Sequence, residues 1–305
     1  MPHFIRRRTL SGYVMVASTK GRQTTSTAFL RRRLTRIAPL YWLVTMAIFS
    51  ALLVGLNPVG FASWEWSDIA ASFLFLGMER SDGYPGPLLG VGWTLAYEAF
   101  FYAVFGVALF ARKNAAALVV AVIMFCVLSG LIAKPTSFSA QFYTAPILLE
   151  FAFGMGLAHL TLKRAGGPLV AAGSIGLMVG AAILSTLISP NLITPGGTGA
   201  IWRAICFGLP ATLIVAGAIS LESSGVVCRN PFTLDQGDAS YALYLIHLPL
   251  IQVVEKVAGS GGALLIAAPP LLAIAAHLTH RYWERPVLTI LKPSRFNLRT
   301  YRLSG

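Results

Sequence analysis

Eight apolar runs, each long enough to cross a bilayer, dominate this chain: 37–56, 88–111, 114–133, 144–162, 168–189, 200–220, 239–257 and 262–280. Roughly 20 apolar residues of helix cross the hydrocarbon core of a membrane. Within that core every backbone N–H and C=O must be bonded internally, which leaves helices or closed barrels. Runs of this length without alternation select helices. The expected fold is all-α, a polytopic transmembrane helix bundle with about eight complete spans. Only 11% of the 305 residues are charged, against about 25% in soluble domains.

The net charge of +13 raises the question of a nucleic-acid partner, and its distribution answers it. If the amino-terminal segment is cytoplasmic, the loops on that side carry 20 of the 24 Lys and Arg residues. Arg80, Lys134, Arg203 and Lys256 are left for the other side. Such an asymmetry is the positive-inside rule. The basicity therefore encodes topology, with both termini cytoplasmic, and points to membrane lipid rather than to nucleic acid. Cys126, Cys206 and Cys228 show no metal-ligand spacing and read as small apolar side chains, and no metal site is expected.

The organisation reads as one membrane-embedded domain over 1–305. An atypical basic leader, MPHFIRRR, occupies 1–8, and a basic cytoplasmic tail runs from 281 to 305. The longest outward connection, 57–87, contains an apolar stretch at 67–77 too short to span. Flanked by Trp64 and Trp66, it reads as an interfacial helix. Its Trp64, Trp66 and Tyr84 suit either the membrane interface or the face of a sugar ring.

Polar residues inside the apolar runs mark the candidate site. Glu98 sits in LLGVGWTLAYEAFFYAVFGVALFA, the only charge in that stretch, near Trp93, Thr94, Tyr97 and Tyr102. An ionised group at that depth costs at least about 2.5–3.5 kcal/mol and faces a bundle interior or a wet cavity. A second acid, Glu150, lies in LLEFAFGMGL, where Gly154 and Gly156 permit close helix approach. The third locus is DASYALYLIHLP, which brings Ser240, Tyr241, Tyr244 and His247 into one span, the imidazole being either a base or a hydrogen-bonding strut. Arg203 either snorkels outward or pairs with an acid such as Glu98 or Glu150. His159, His277 and His280 read as interfacial. Ahead of the first run, Arg33 and Arg36 share a helical face. They serve either as a stop-transfer anchor or as a bidentate grip on phosphate.

Six segments in order resemble the membrane acyltransferase family 3, which includes O-acetyltransferases of bacterial surface polysaccharides. They are SGYVM at 11–15, RRRLTRIAPLYW at 31–42, GWTLAYEAFFY at 92–102, LLEFAFGM at 148–155, GDASYALYLIHLPL at 237–250 and YWERP at 282–286. The resemblance implies a ten-helix bundle in the bacterial inner membrane, with no bound cofactor. Such a bundle moves an acyl group, commonly acetyl, from cytoplasmic acyl-CoA as co-substrate to a hydroxyl of a lipid-linked or exported glycan. It assigns Arg33 and Arg36 to acyl-donor binding and sets Glu98 and the Ser240–His247 stretch on cavity walls, Glu98 and His247 supporting the chemistry. The family's catalytic His stands on a first helix without a counterpart here, so the resemblance also implies a chain truncated at its N terminus and impaired in transfer. A proton-coupled transporter or flippase of glycan intermediates is the competing class. It is favoured by the two buried acids and disfavoured by the lack of any repeat between halves.

Overall fold

The computed structural model describes residues 11–16, 24–57, 60–159, 173, 175–177, 179–180, 183, 200–223, 230–258 and 262–291. In chain order the helices are α1 (11–16), α2 (Ser26–Leu53), α3 (Trp66–Phe73), α4 (Gly92–Ala108), α5 (Ala115–Ala133), α6 (Phe138–Tyr143) and α7 (Leu149–His159). They continue with α8 (Leu209–Ser223), α9 (Pro231–Asp238), α10 (Ser240–Ala258), α11 (Gly262–Thr279) and α12 (Arg285–Leu291). Among the described residues there is no strand, only an antiparallel bridge between Glu79 and Pro85. The fold is an all-α membrane bundle. Four of the described helices are long and apolar enough to cross a membrane: Ser26–Leu53, Gly92–Ala111, Ala115–Ala133 and Ala204–Glu222.

Most departures from the expected runs have local causes. Helix α2 begins eleven residues before the run at 37–56, because its first turns are built from Leu, Arg and Ala. These are good helix formers whose charges keep them out of the apolar count. The run at 144–162 is broken instead. Ala145, held extended by the proline after it (φ −65°, ψ 139°), separates α6 from a 3₁₀ turn at Pro146–Leu148 that leads into α7. The run at 200–220 carries a π-helical turn at Ala204–Gly208 just before α8. Runs 239–257 and 262–280 appear as α10 and α11. The run at 168–189 lies largely outside the described residues, as do the leader at 1–8, the tail beyond 291 and Cys228.

By packing the chain divides into two compact units. The first comprises Met1–Leu30, Ser63–Pro87 and Gly92–Cys228. Its core is built around α4, with Leu95, Tyr97, Phe101 and Phe105 buried. Phe101 stacks on Phe151 of α7 at 4.4 Å between centroids. Helix α5 is apolar all round and turns much of its surface outward, Phe125 and Ile132 being 73% and 81% exposed. That is unfavourable in water and costs nothing in lipid. Helix α1 reaches α7 through Gly12: a Cβ there would stand 2.2 Å from the Phe151 carbonyl oxygen and 3.0 Å from the Met155 nitrogen. The two backbones touch, and only glycine fits.

The second unit comprises Arg31–Ala62, Leu88–Val91 and Arg229–Gly305. Two tyrosines of α10 fasten it. Tyr241 donates its hydroxyl proton to the Ile37 carbonyl of α2, and Tyr244 donates to the Val91 carbonyl at 2.5 Å. Both rings are buried. Pro39 and Pro249 sit inside α2 and α10 and remove one backbone donor from each. His277 and His280, expected at the interface, have carboxylate partners. His277 Nδ1 lies 2.5 Å from Asp235, and His280 Nδ1 lies 3.0 Å from Glu284 across a π-helical turn at His280–Glu284.

Candidate functional site

Helical spacing on α4 turns Thr94, Glu98 and Tyr102 to one side, and all three are buried. Glu98 is 3% exposed. Its carboxylate accepts a hydrogen bond from the Tyr102 hydroxyl at 3.2 Å and a longer one from Ser11 Oγ at 3.4 Å. The Ser11 contact arises because Gly12 lets α1 lie close in the packing, so adjacent residues supply the polar donor and the clearance. Tyr97 flanks this cluster, stacked on Phe142 of α6 at 3.8 Å and 13°, with the Trp93 ring edge-on at 6.0 Å. Glu98 is therefore a buried carboxylate held by two hydroxyl donors. A carboxylate held by hydroxyl donors orients what approaches it and is an acceptor for a further hydroxyl.

Removing that acceptor has a defined cost. Glu98→Ala withdraws the partner of two hydroxyls in apolar surroundings, worth about 1–3 kcal/mol. Glu98→Gln keeps one acceptor oxygen and is expected to cost less. Thermal unfolding of the detergent-solubilised chain checks this, with Ala below Gln below wild type.

Glu150 occupies the first turn of α7 and is fully buried. It faces the π turn, where a Cβ on Gly208 would meet Glu150 Cγ and the Phe153 ring, each at 3.3 Å. The Gly208 carbonyl accepts from Thr212 Oγ1 at 2.8 Å. Gly208 and Gly12 give close approach near this acid; of the two glycines expected to do so, Gly154 is buried and Gly156 is exposed with open space beside it. A helix glycine permits contact without saying which one a neighbour will use. Arg203 ends a short helix, Ala200–Arg203, that leads into the π turn, while its side chain lies outside the described residues.

The remaining candidates belong to the second unit. Arg33 is half-buried and Arg36 exposed, three apart on α2. Ser240 opens α10, one residue before the Tyr241 strut. His247 Nδ1 lies 2.7 Å from the Tyr244 carbonyl. A carbonyl only accepts, so in this contact Nδ1 is the donor. Trp93, Tyr97, Glu98 and Glu150 thus share one unit, and Arg33, Arg36, Ser240, Tyr241, Tyr244 and His247 the other. Two participants escaped the sequence reading, Ser11 and Gly12. Their signal was the Ser-Gly pair opening SGYVM, which names no partner by itself.

Comparison with known proteins adds a chemical class. The family described as an acyltransferase domain matches residues 9–279. Exopolysaccharide production protein ExoZ of Rhizobium meliloti (strain 1021) is 32% identical over 291 residues, covering 92% of this chain and 86% of that protein. No solved structure matches.

Proposed function

The chain belongs to that acyltransferase family, and from this premise we propose that it is an integral membrane O-acyltransferase carrying an acyl group, acetyl in the simplest case, from cytoplasmic acyl-CoA to a hydroxyl of a surface polysaccharide. The observation that carries the reading is the family match over 9–279 together with a relative whose name concerns exopolysaccharide production. The chemistry is one ester exchange. A sugar hydroxyl oxygen attacks the thioester carbonyl carbon, the C–S bond breaks, and CoA leaves as the thiol with the proton the hydroxyl gives up.

In this proposal Arg33 and Arg36 grip the donor's phosphates from the cytoplasmic edge of α2. A guanidinium fork matches two phosphate oxygens at once. Glu98, with Ser11 and Tyr102, organises the acceptor side of its unit. Tyr241, Tyr244 and the Nδ1-protonated His247 brace the α10 wall. The positive-inside distribution supports an inner-membrane placement with both termini cytoplasmic. Glu98's hydroxyl donors fit a fixed polar wall better than a proton relay, which favours the enzyme over the transporter. Mass spectrometry of the exopolysaccharide from cells with and without the gene tests this. Alkali-labile acyl esters that depend on the gene are expected, and identical glycans would refute it.

A further inference from the structure

We propose that the outward loop at 57–87 carries a preformed platform for a neutral hexopyranose ring of the glycan, with Trp66 and Tyr84 as its stacking faces. This deepens the function proposed above and rests on it for the identity of the ligand. Trp66 is 68% exposed and Tyr84 51% exposed, yet neither is carried on a loose loop. Trp66 is the first residue of α3, whose N terminus is closed by a reciprocal capping box between Glu65 and Asp68. Asp68 is buried and reaches across the loop, accepting from the Ser81 backbone N–H at 3.1 Å and the Ser81 hydroxyl at 2.7 Å. The start of α3 and the turn before Tyr84 are thereby tied to one side chain.

The turn is braced as firmly. Arg80 forms a two-point contact with Asp82, at 3.1 and 2.5 Å, and its guanidinium lies 4.7 Å from the centre of the Tyr84 ring. Gly83 (φ +77°) closes the turn with its N–H on the Arg80 carbonyl. The Tyr84 ring is thus held from beneath by a cation, while half of its surface stays open. Trp64 holds Trp66 edge-to-face at 5.8 Å. Aromatic side chains fixed before binding lose little rotamer entropy when a ligand arrives.

Charge selects the occupant. The loop contains Glu65, Asp68, Glu79 and Asp82 against Arg80 alone, four of the eleven acidic residues of a chain whose net charge is +13. Like charge opposes an anionic ligand at short range, whereas carboxylates accept hydrogen bonds from neutral hydroxyls. Neutral sugar suits the combination. Its C–H face packs on an aromatic ring, and its hydroxyls donate to exposed carboxylates such as Glu65 and Glu79.

The test uses the full chain in nanodiscs without any acyl donor, titrated with cellotetraose and with tetragalacturonic acid, while tryptophan emission is read. Cellotetraose is expected to bind, with W66A and Y84A each weakening it about tenfold, W66F retaining most of the affinity, and the uronic acid binding far less. Brominated lipid in the same discs reports the other occupant. Emission lost from wild type but not from W66F would show Trp66 in the membrane and overturn the platform. So would equal binding by W66A, or no binding by wild type. Acyl transfer is measured separately. Transfer intact without binding removes the platform alone, and binding without transfer removes the function proposed above and leaves the platform.

Discussion

Alanine at both Arg33 and Arg36 is expected to weaken acetyl-CoA binding to the chain in nanodiscs by about 10²–10⁴-fold. Each charge-assisted hydrogen bond to phosphate is worth about 1.5–3 kcal/mol, and each 1.4 kcal/mol is about tenfold in affinity. The two positions lie before the first apolar run, half-buried and exposed. Lysine at both is expected to recover only part of the loss, because the charge returns without the planar fork. Calorimetric titration with acetyl-CoA checks the order wild type, Lys, Ala. Equal affinity in all three would assign the pair to lipid anchoring instead.

Gly12→Ala should produce a large structural effect for a single methyl group. The added carbon would meet a backbone carbonyl at 2.2 Å, and no rotamer change removes a backbone atom. Overpacking into flexible side chains costs about 1–3 kcal/mol. Here a whole helix must shift, so at least the upper end of that range is expected. The same shift takes Ser11 away from Glu98. Size-exclusion profiles and thermal unfolding of the detergent-solubilised variant check this, with Gly156→Ala as control, since that position opens on empty space. Indistinguishable stability of the two variants would contradict the α1–α7 contact.

How much of this was legible in the sequence varies with the kind of interaction. The membrane helices were, because a bilayer demands continuous apolar length and α5 supplies little else. The Glu98 cluster was half legible. Tyr102 stands one turn away on the same helix, so periodicity reaches it, but Ser11 lies 87 residues away and periodicity carries no information at that range. The break before α7 was written in Ala145-Pro146 and was outweighed by the apolar count around it. The π turn facing Glu150 has no local signature, since it depends on how two helices meet. The tyrosines of α10 read as cavity or structural polar residues in the sequence, which names no partner, and in the structure they hold backbone carbonyls of α2 and of the segment before α4. The platform residues were visible as aromatics without a choice between lipid and sugar, and the ties that Asp68 and Arg80 make around them were not visible at all.

The central claim is that this chain moves acyl groups from CoA to glycan. Inside-out vesicles containing the chain and loaded with deacetylated exopolysaccharide, given acetyl-CoA labelled in the acetyl group from outside, test it most directly. Label is expected to appear in the glycan as an alkali-labile ester, to require the chain, and to fall when Arg33 and Arg36 are both alanine. Glycan that gains no label above vesicles lacking the chain, or label indifferent to those two arginines, would contradict the account.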